Sequence, residues 1–200
     1  MYEEEFQRII KASQNHSLSF FVGAGVSSLS GAPSWKKLIQ QICIQIKQPS
    51  KDEYSSDENL RIPQIFYHSI NEDKEQYYKF IEDNLIHEEL CPNEVHKALL
   101  SFNPVSFITT NFDDLLETAA IQYCQSFISV ACDSEVAKIN GDKYILKLHG
   151  DLKHKNIVFK EEDYLNYSEN FKLIETLLKS IFSTNTVVFI GYGLNDYNIK

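Results

Sequence analysis

The stretch Phe20–Ser27, with the sequence FFVGAGVS, decides the fold of this 200-residue chain. Its apolar first part continues the run from Leu18 and predicts a short buried strand, and its two glycines predict a tight turn after that strand. Such a turn lets backbone N–H groups approach a phosphate closely. The full dinucleotide-binding pattern G-x-G-x-x-G is absent because Ser28 stands at the third glycine position, and no P-loop sequence is present. The stretch alone leaves a nucleotide site and a structural turn equally open.

On either side of this turn, strand-like apolar runs alternate with amphipathic segments. Strands are predicted at 18–22, 105–109, 127–130, 144–148, 157–159 and 186–190. Helices are predicted around Phe6 and at 34–46, 115–121 and 161–183. The alternation predicts an α/β fold, a Rossmann-like parallel sheet with helices on both faces. Residues 48–103 are interpreted as a helical insertion between the first two core strands, and Asn140-Gly141 predicts a hairpin that joins 136–139 to 144–148.

Four short motifs stand directly after predicted strands. They are Gly23–Gly25, Thr110–Asp113, His149-Gly150 and Gly191–Gly193. Because ligands of open parallel sheets bind beyond the carboxyl ends of the strands, the four motifs are expected to converge on one crevice.

Each motif also has a structural interpretation. Asn111 offers an uncharged amide that can bind hydroxyl groups or a water molecule, whereas Asp113 or Asp114 can form an Asx turn that starts the next helix. His149 is a candidate general base, although a single histidine is more often structural. Taken one at a time, the motifs of Asn111 and His149 favour the structural interpretation.

Composition excludes several classes of protein. The 19 basic and 28 acidic residues give a net charge of −9, which argues against direct nucleic-acid binding. The longest apolar runs are far shorter than a membrane span, and the acidic N-terminus is unlike a secretory signal. The four cysteines, Cys43, Cys91, Cys124 and Cys132, form no C-x-x-C pair, which favours free thiols in a cytoplasmic protein.

The motifs taken together resemble the sirtuin superfamily. The matching segments are GAGVS at 23–27, GAPSW at 31–35, TTNFD at 109–113, LHG at 148–150 and FIGYGLND at 189–196. They occur in the family's order over nearly the whole chain. The resemblance implies a domain that binds NAD and cleaves its nicotinamide–ribose bond.

The same resemblance assigns roles residue by residue. The residues for the pyrophosphate are Gly23, Ala24, Gly25 and Ser27. The residues for nicotinamide and its ribose are Asn111 and Asp113, and Thr110 is counted with the NAD-binding set. The general base is His149, and Asn111 is the second catalytic residue. The residues assigned to the adenosine half of NAD are Gly191, Asn195 and Asp196.

Three departures from the protein deacylases of the superfamily refine this expectation. The chain lacks the two C-x-x-C pairs of their zinc ribbon, so no metal is expected. Ser34-Trp35-Lys36 replaces their acidic, aromatic and arginine residues after Gly-x-Pro, and Thr110 replaces their glutamine. These departures resemble the bacterial sirtuin-like branch of NAD hydrolases in anti-phage defence, which are usually fused or bound to a sensor or control module.

The sequence therefore predicts an NAD glycohydrolase domain over residues 1–200, with NAD as substrate. We expect it to be the N-terminal part of a longer cytoplasmic protein that acts as a homo-oligomer or with a partner sensor domain. We do not expect it to bind a membrane. Two alternatives stay open: an NAD-dependent protein deacylase, and a non-catalytic module that senses NAD or ADP-ribose.

Overall fold

The structure is a computed structural model that describes residues 2–85, 90–141 and 143–193. Its strands are β1 (Leu18–Val22), β2 (Ser106–Thr109), β3 (Ile128–Val130), β4 (Tyr144–Lys147) and β5 (Thr186–Ile190). They form one sheet in the order β3-β4-β2-β1-β5, and every neighbouring pair is parallel. This confirms the predicted parallel sheet.

The helices are α1 (Glu3–Gln14), α2 (Ala24–Ser28), α3 (Trp35–Gln45), α4 (Ser56–Ser69), α5 (Lys74–Leu85), α6 (Glu94–Ser101), α7 (Leu115–Gln122), α8 (Glu161–Leu165), α9 (Tyr167–Asn170) and α10 (Lys172–Thr184). A 3-10 helix covers Asp133–Lys138. Among the described residues, no helix is both long and apolar enough to cross a bilayer.

Two apolar cores cover the two faces of the sheet. Alternate residues of a strand point to opposite faces, so Phe20 packs in the core with α1, α6 and α7, while Phe21 packs in the core with α9 and α10. Both side chains are at most 3% exposed. Burial of one such side chain stabilises the fold by about 1.5–3 kcal/mol, so both helix layers are held by the sheet.

A third core lies within the helical segment that follows β1. Leu38 and Ile42 of α3 pack there with Phe66 of α4 and Ile81 of α5. Helix α6 packs elsewhere, because its Leu99 and Leu100 are buried in the core that also holds Phe20. The described part of residues 48–103 thus contains three helices, of which the last belongs to the layer over the sheet.

The predicted hairpin at Asn140-Gly141 is wrong. Residues Asp133–Lys138 form a 3-10 helix rather than a strand, and β4 pairs in parallel with β2 and β3. Both edges of β4 are therefore occupied, which leaves no place for an antiparallel partner. Gly141 does adopt a left-handed turn, with φ +83°, but this turn only leads the chain from the 3-10 helix into β4.

Two other predicted elements differ from the structure. Ile157–Phe159 is buried but forms no strand, although the Val158 N–H donates to the His149 carbonyl at 2.9 Å. The helix predicted at 161–183 is divided into α8, α9 and α10. The break precedes α10 because the Asp133 carboxylate accepts the N–H groups of Leu173 and Ile174, at 3.0 and 3.1 Å, and starts a new helix there.

Candidate active site

One cavity of about 1310 Å³ lies at the carboxyl edge of the sheet, and residues of all four strand-end motifs line it. They are Ala24, Thr110, Asn111, Phe112, Asp113, His149, Gly191, Tyr192 and Gly193, and the predicted residue Ser27 also lines the cavity. The cavity exceeds the usual range of about 300–1,000 Å³ for ligand pockets, so it has room for a dinucleotide. Of the other predicted residues, Gly23 and Gly25 do not line the cavity, and Asn195 and Asp196 lie outside the described residues.

The glycine turn after β1 packs directly against the end of β5. The Gly23 N–H donates to the Ile190 carbonyl and the Gly25 N–H to the Gly191 carbonyl, both at 2.9 Å. A Cβ atom on Gly23 would lie 2.5 Å from the Gly191 oxygen, and one on Gly25 would lie 2.8 Å from it. The two glycines are therefore needed for a close approach of backbone to backbone. Their N–H groups are already hydrogen-bonded to carbonyl groups at the end of β5. Ala24 and Ser27 are the residues of this turn that line the cavity.

Asn111 is held in place by Ser27 of α2 and by Thr109 of β2. Its side-chain amide donates to Ser27 Oγ at 2.9 Å, and its backbone N–H donates to Thr109 Oγ1 at 3.0 Å. Thr109 Oγ1 in turn donates to the Val22 carbonyl at 2.8 Å, which links the loop to the end of β1. These contacts orient the amide of Asn111 at the cavity wall.

Asp113 has a local structural role. Its Oδ1 accepts the Leu115 N–H at 3.2 Å, so it forms the Asx turn that starts α7. This is the structural alternative considered for that motif. Asp113 also lines the cavity, as does Thr110, so a contact with a ligand is compatible with this turn.

His149 follows β4 by two residues and is 1% exposed. Its ring lies 5.5 Å from the Tyr164 ring and 6.5 Å from those of Phe112 and Tyr167, measured between centroids. Aromatic neighbours keep bulk water away from the ring while its position at the cavity leaves it within reach of a ligand. The neighbouring Gly150 has φ +67°, and Asn156 would clash with a Cβ atom there, so this turn requires glycine.

The structure contains a buried ion network next to the cavity that was not predicted from the sequence. Lys147 of β4 is completely buried, and its Nζ lies 2.5 Å from Asp114 Oδ1 and 3.3 Å from Glu117 Oε1. Ser129 Oγ donates to the same Glu117 oxygen at 2.8 Å. The available signal was a lysine inside the apolar run 144–148, since a buried lysine needs an acidic partner.

The pKa values of this network reflect burial and pairing. Burial raises the pKa of Glu117 and outweighs the opposing effect of Lys147. For Lys147, burial acts to lower the pKa, but the carboxylates of Glu117 and Asp114 raise it above its usual value. Lys147 is thus held firmly in its charged form.

A second polar cluster lies at the rim of the cavity, around His154. The His154 Nδ1 atom lies 2.8 Å from Asp151 Oδ1, and its Nε2 lies 3.3 Å from Glu135 Oε1. The potential ligand atoms of Cys132, Glu135 and His154 all lie within 4.8 Å of one another. This is one thiol with a carboxylate and an imidazole, whereas a zinc ribbon uses four ligands of which most are thiolates. Cys132 is the only cysteine in this cluster, so the described residues show no group of thiols like that of a zinc ribbon.

The fold and the cavity together define a Rossmann-like α/β domain with a large cavity at the carboxyl edge of its parallel sheet. Residues 105–200 match the model of the SIR2-like domain family. These residues belong to this family, which is the sirtuin superfamily that the motifs of the chain resemble.

Characterised relatives are considerably longer than this chain. Defense-associated sirtuin 2 of Bacillus subtilis is 43% identical over 202 residues, which cover 98% of the chain and 20% of that relative. NAD(+) hydrolase ThsA of Cytobacillus dafuensis is 25% identical over 197 residues, which cover 97% of the chain and 39% of the relative. A solved Sir2 enzyme is 16% identical, with a TM-score of 0.49, 98% of the chain covered and 78% of that structure covered. The chain thus spans about a fifth of the first relative and two fifths of the second.

Proposed function

We propose that this chain is the catalytic domain of an NAD glycohydrolase, which cleaves the bond between nicotinamide and ribose. The observation that carries the proposal is that Asn111 and His149 line one cavity with the glycine turn after β1. The names of two relatives, an NAD(+) hydrolase and a defense-associated sirtuin, support the same reaction.

The proposed reaction requires few catalytic groups from the protein. Nicotinamide leaves as a neutral base from a cationic pyridinium, so the reaction requires no general acid. As the C1′–N bond breaks, its electron pair goes to the nicotinamide nitrogen and the ribose becomes oxocarbenium-like, as in glycosidases. A water molecule then bonds to C1′ and loses a proton.

In this proposal, Asn111 orients the reacting groups and His149 accepts a proton. Asn111 orients the ribose hydroxyls or the attacking water through its side-chain amide, which Ser27 holds in place. His149 accepts the proton from that water or from a ribose hydroxyl. General-base catalysis of this kind contributes about 10²–10⁴ in rate. No metal takes part in any of these steps.

The proposed NAD-binding residues surround this pair. Ala24 and Ser27 are proposed to face the pyrophosphate, while Gly23 and Gly25 shape the turn that carries them. Thr110 and Asp113 are assigned to the nicotinamide side and Gly191 to the adenosine side, with Asn195 and Asp196 as predictions for the same half.

The cellular setting is part of the proposal. The length of the Bacillus subtilis relative supports a larger protein in which residues 1–200 are the catalytic part, with assembly or a sensor module controlling activity. Its name supports a role in anti-phage defence through NAD depletion. Four free thiols support the cytoplasm as its compartment.

The decisive experiment is to incubate the protein with NAD and identify the products by mass spectrometry, with and without an acylated peptide. Nicotinamide released without peptide, together with ADP-ribose or its cyclic form, is the expected result. NAD consumption only in the presence of the peptide would instead identify a deacylase. NAD binding without any nicotinamide release would identify a sensor module.

A further inference from the structure

We infer that Lys147 is a positioning residue for NAD cleavage, because it holds the loop that carries Asn111 against the strand that carries His149. The inference rests on the proposed function for its reaction, but the restraint on the loop is a structural property that can be measured independently. Lys147 itself is buried beside the cavity and is not proposed to touch NAD.

Strand register places the two candidate catalytic residues at equivalent distances beyond the paired residues Thr109 and Lys147. Thr109 of β2 pairs with Lys147 of β4, and the Leu148 N–H donates to the Thr109 carbonyl at 2.8 Å. Asn111 and His149 each lie two residues beyond this paired position, just past the ends of neighbouring parallel strands. Any slippage between the two strand ends therefore changes the separation of Asn111 and His149.

The side chain of Lys147 then reaches back to the Asn111 loop. Residues 110–114 lead from β2 to α7, and Asp114 at the end of this loop accepts a hydrogen bond from Lys147 Nζ at 2.5 Å. Asp114 is 75% exposed, so solvent would surround its carboxylate on release from Lys147. The second partner, Glu117, is only 20% exposed and lies in the first turn of α7.

The network continues to a third strand. Ser129 of β3 donates to Glu117, so one buried cation links β3, β4, α7 and the Asn111 loop. Lys147 lies on the same face of β4 as Ile145, a position where an apolar side chain would pack without any desolvation penalty. Buried ion pairs commonly stabilise a protein no better than apolar side chains do. A role in holding the Asn111 loop against β4 accounts for the charged side chain of Lys147 at this position.

The test compares Lys147→Met with Lys143→Met. Lys143 precedes the same strand, is partly exposed and bonds Asn103 rather than the loop, so it is a matched control. We expect Lys147→Met to lower kcat by about 10–100-fold, since small displacements of reacting groups have effects of this size. KM should change less than threefold, and Lys143→Met should keep both values near those of the unmodified protein.

A second variant separates positioning from stability. Lys147→Met alone leaves the buried Glu117 carboxylate without its cation, which by itself destabilises the fold. The double variant Lys147→Met/Glu117→Gln removes both buried charges, so its stability should recover relative to the single variant. Its kcat should stay low because Asp114 is still released. Recovery of kcat together with stability would show a merely structural role and overturn the inference.

Hydrogen exchange of the loop gives a readout that does not depend on catalysis. Amides of residues 110–116 should exchange at least tenfold faster in Lys147→Met and in the double variant, and at the original rate in Lys143→Met. Unchanged exchange would overturn the inference even if activity fell. If the unmodified protein does not cleave NAD, the proposed function fails while the exchange result still decides whether Lys147 restrains the loop.

Discussion

Asn111 and His149 occupy very different surroundings, although both line the cavity. Asn111 is partly buried and bonded to hydroxyl groups, whereas His149 is buried among aromatic rings. Both line the same cavity, so one bound ligand can contact both side chains.

We predict that Asn111→Ala and His149→Ala each abolish NAD cleavage, by at least about 10²-fold, because one loses the orienting amide and the other the general base. The fold should be retained, as judged by circular dichroism and thermal unfolding. NAD turnover under saturating substrate is the measurement. His68→Ala, at an exposed histidine of α4, is the control and should keep full activity. A variant of Asn111 or His149 that retained most of the turnover would remove that residue from the mechanism.

The glycine turn leads to a prediction about stability. Gly25→Ala would bring a Cβ atom to 2.8 Å from the Gly191 oxygen and 2.9 Å from its Cα, so the end of β5 must move. Overpacking of this kind destabilises a protein by about 1–3 kcal/mol, which urea denaturation can measure. We also expect NAD turnover to fall, because Gly191 lines the cavity.

Gly141→Ala is the comparison for this experiment. No atom lies within 4 Å of a Cβ placed there, but its left-handed backbone, with φ +83°, costs about 1–2 kcal/mol for an alanine. Its NAD turnover should be normal. Equal turnover in the two variants would contradict the role assigned to the contact between Gly25 and Gly191.

At the scale of single elements, α6 begins with a cap that contains a histidine. Asn93 Oδ1 accepts the Val95 N–H at 2.9 Å, and the Asn93 N–H donates to His96 Nδ1 at 3.2 Å. Asn93 also donates to the Val26 carbonyl at 2.9 Å, so this cap holds α6 against α2 beside the glycine turn. His96 is 1% exposed.

Because this cap contains a buried histidine, we predict that the free energy of unfolding changes with pH. Burial lowers the pKa of His96, although Asp113 opposes this effect. A depressed pKa means that the contribution to stability is present above about pH 6.5, the usual histidine value, and is lost as pH falls through the lower value of the folded state. Protonation also removes the Nδ1 acceptor.

His96→Gln should reduce this pH dependence, because glutamine accepts the same bond at the third position of the helix and does not titrate. The free energy of unfolding, measured from pH 8 to pH 5, should fall more steeply for the unmodified protein than for the variant. Parallel curves would show that His96 does not titrate in this range.

At the scale of the whole molecule, the cysteines distinguish this domain from zinc-containing deacylases. Cys43 is buried in α3, Cys91 and Cys124 are exposed, and Cys132 lies beside Glu135. We predict that metal analysis of the purified protein finds no stoichiometric zinc, because these thiols are not gathered into one tetrahedral site. One tightly bound zinc per chain, released on unfolding, would contradict this prediction and favour the deacylase alternative.

Local sequence signals were sufficient for most of the fold. The strands β1, β2, β3, β4 and β5 were predicted within one residue at each end, because short apolar runs between turn residues are a strong local signal. The hairpin at Gly141 and the strand at 157–159 were wrong for a shared reason. A local pattern indicates a turn or a buried segment, but it does not show which strands are still free to pair.

The sequence by itself determined the parallel α/β fold, the family and the placement of Asn111 and His149 at strand ends, since these depend on local patterns and on motif order. Only the tertiary structure decided what the residues around them do. It showed that Gly23 and Gly25 give their N–H groups to the end of β5, and that Lys147 joins Asp114 across neighbouring strands. Such contacts join residues that are far apart in the chain. The order of parallel strands sets their distances, and no spacing within a single segment encodes that order.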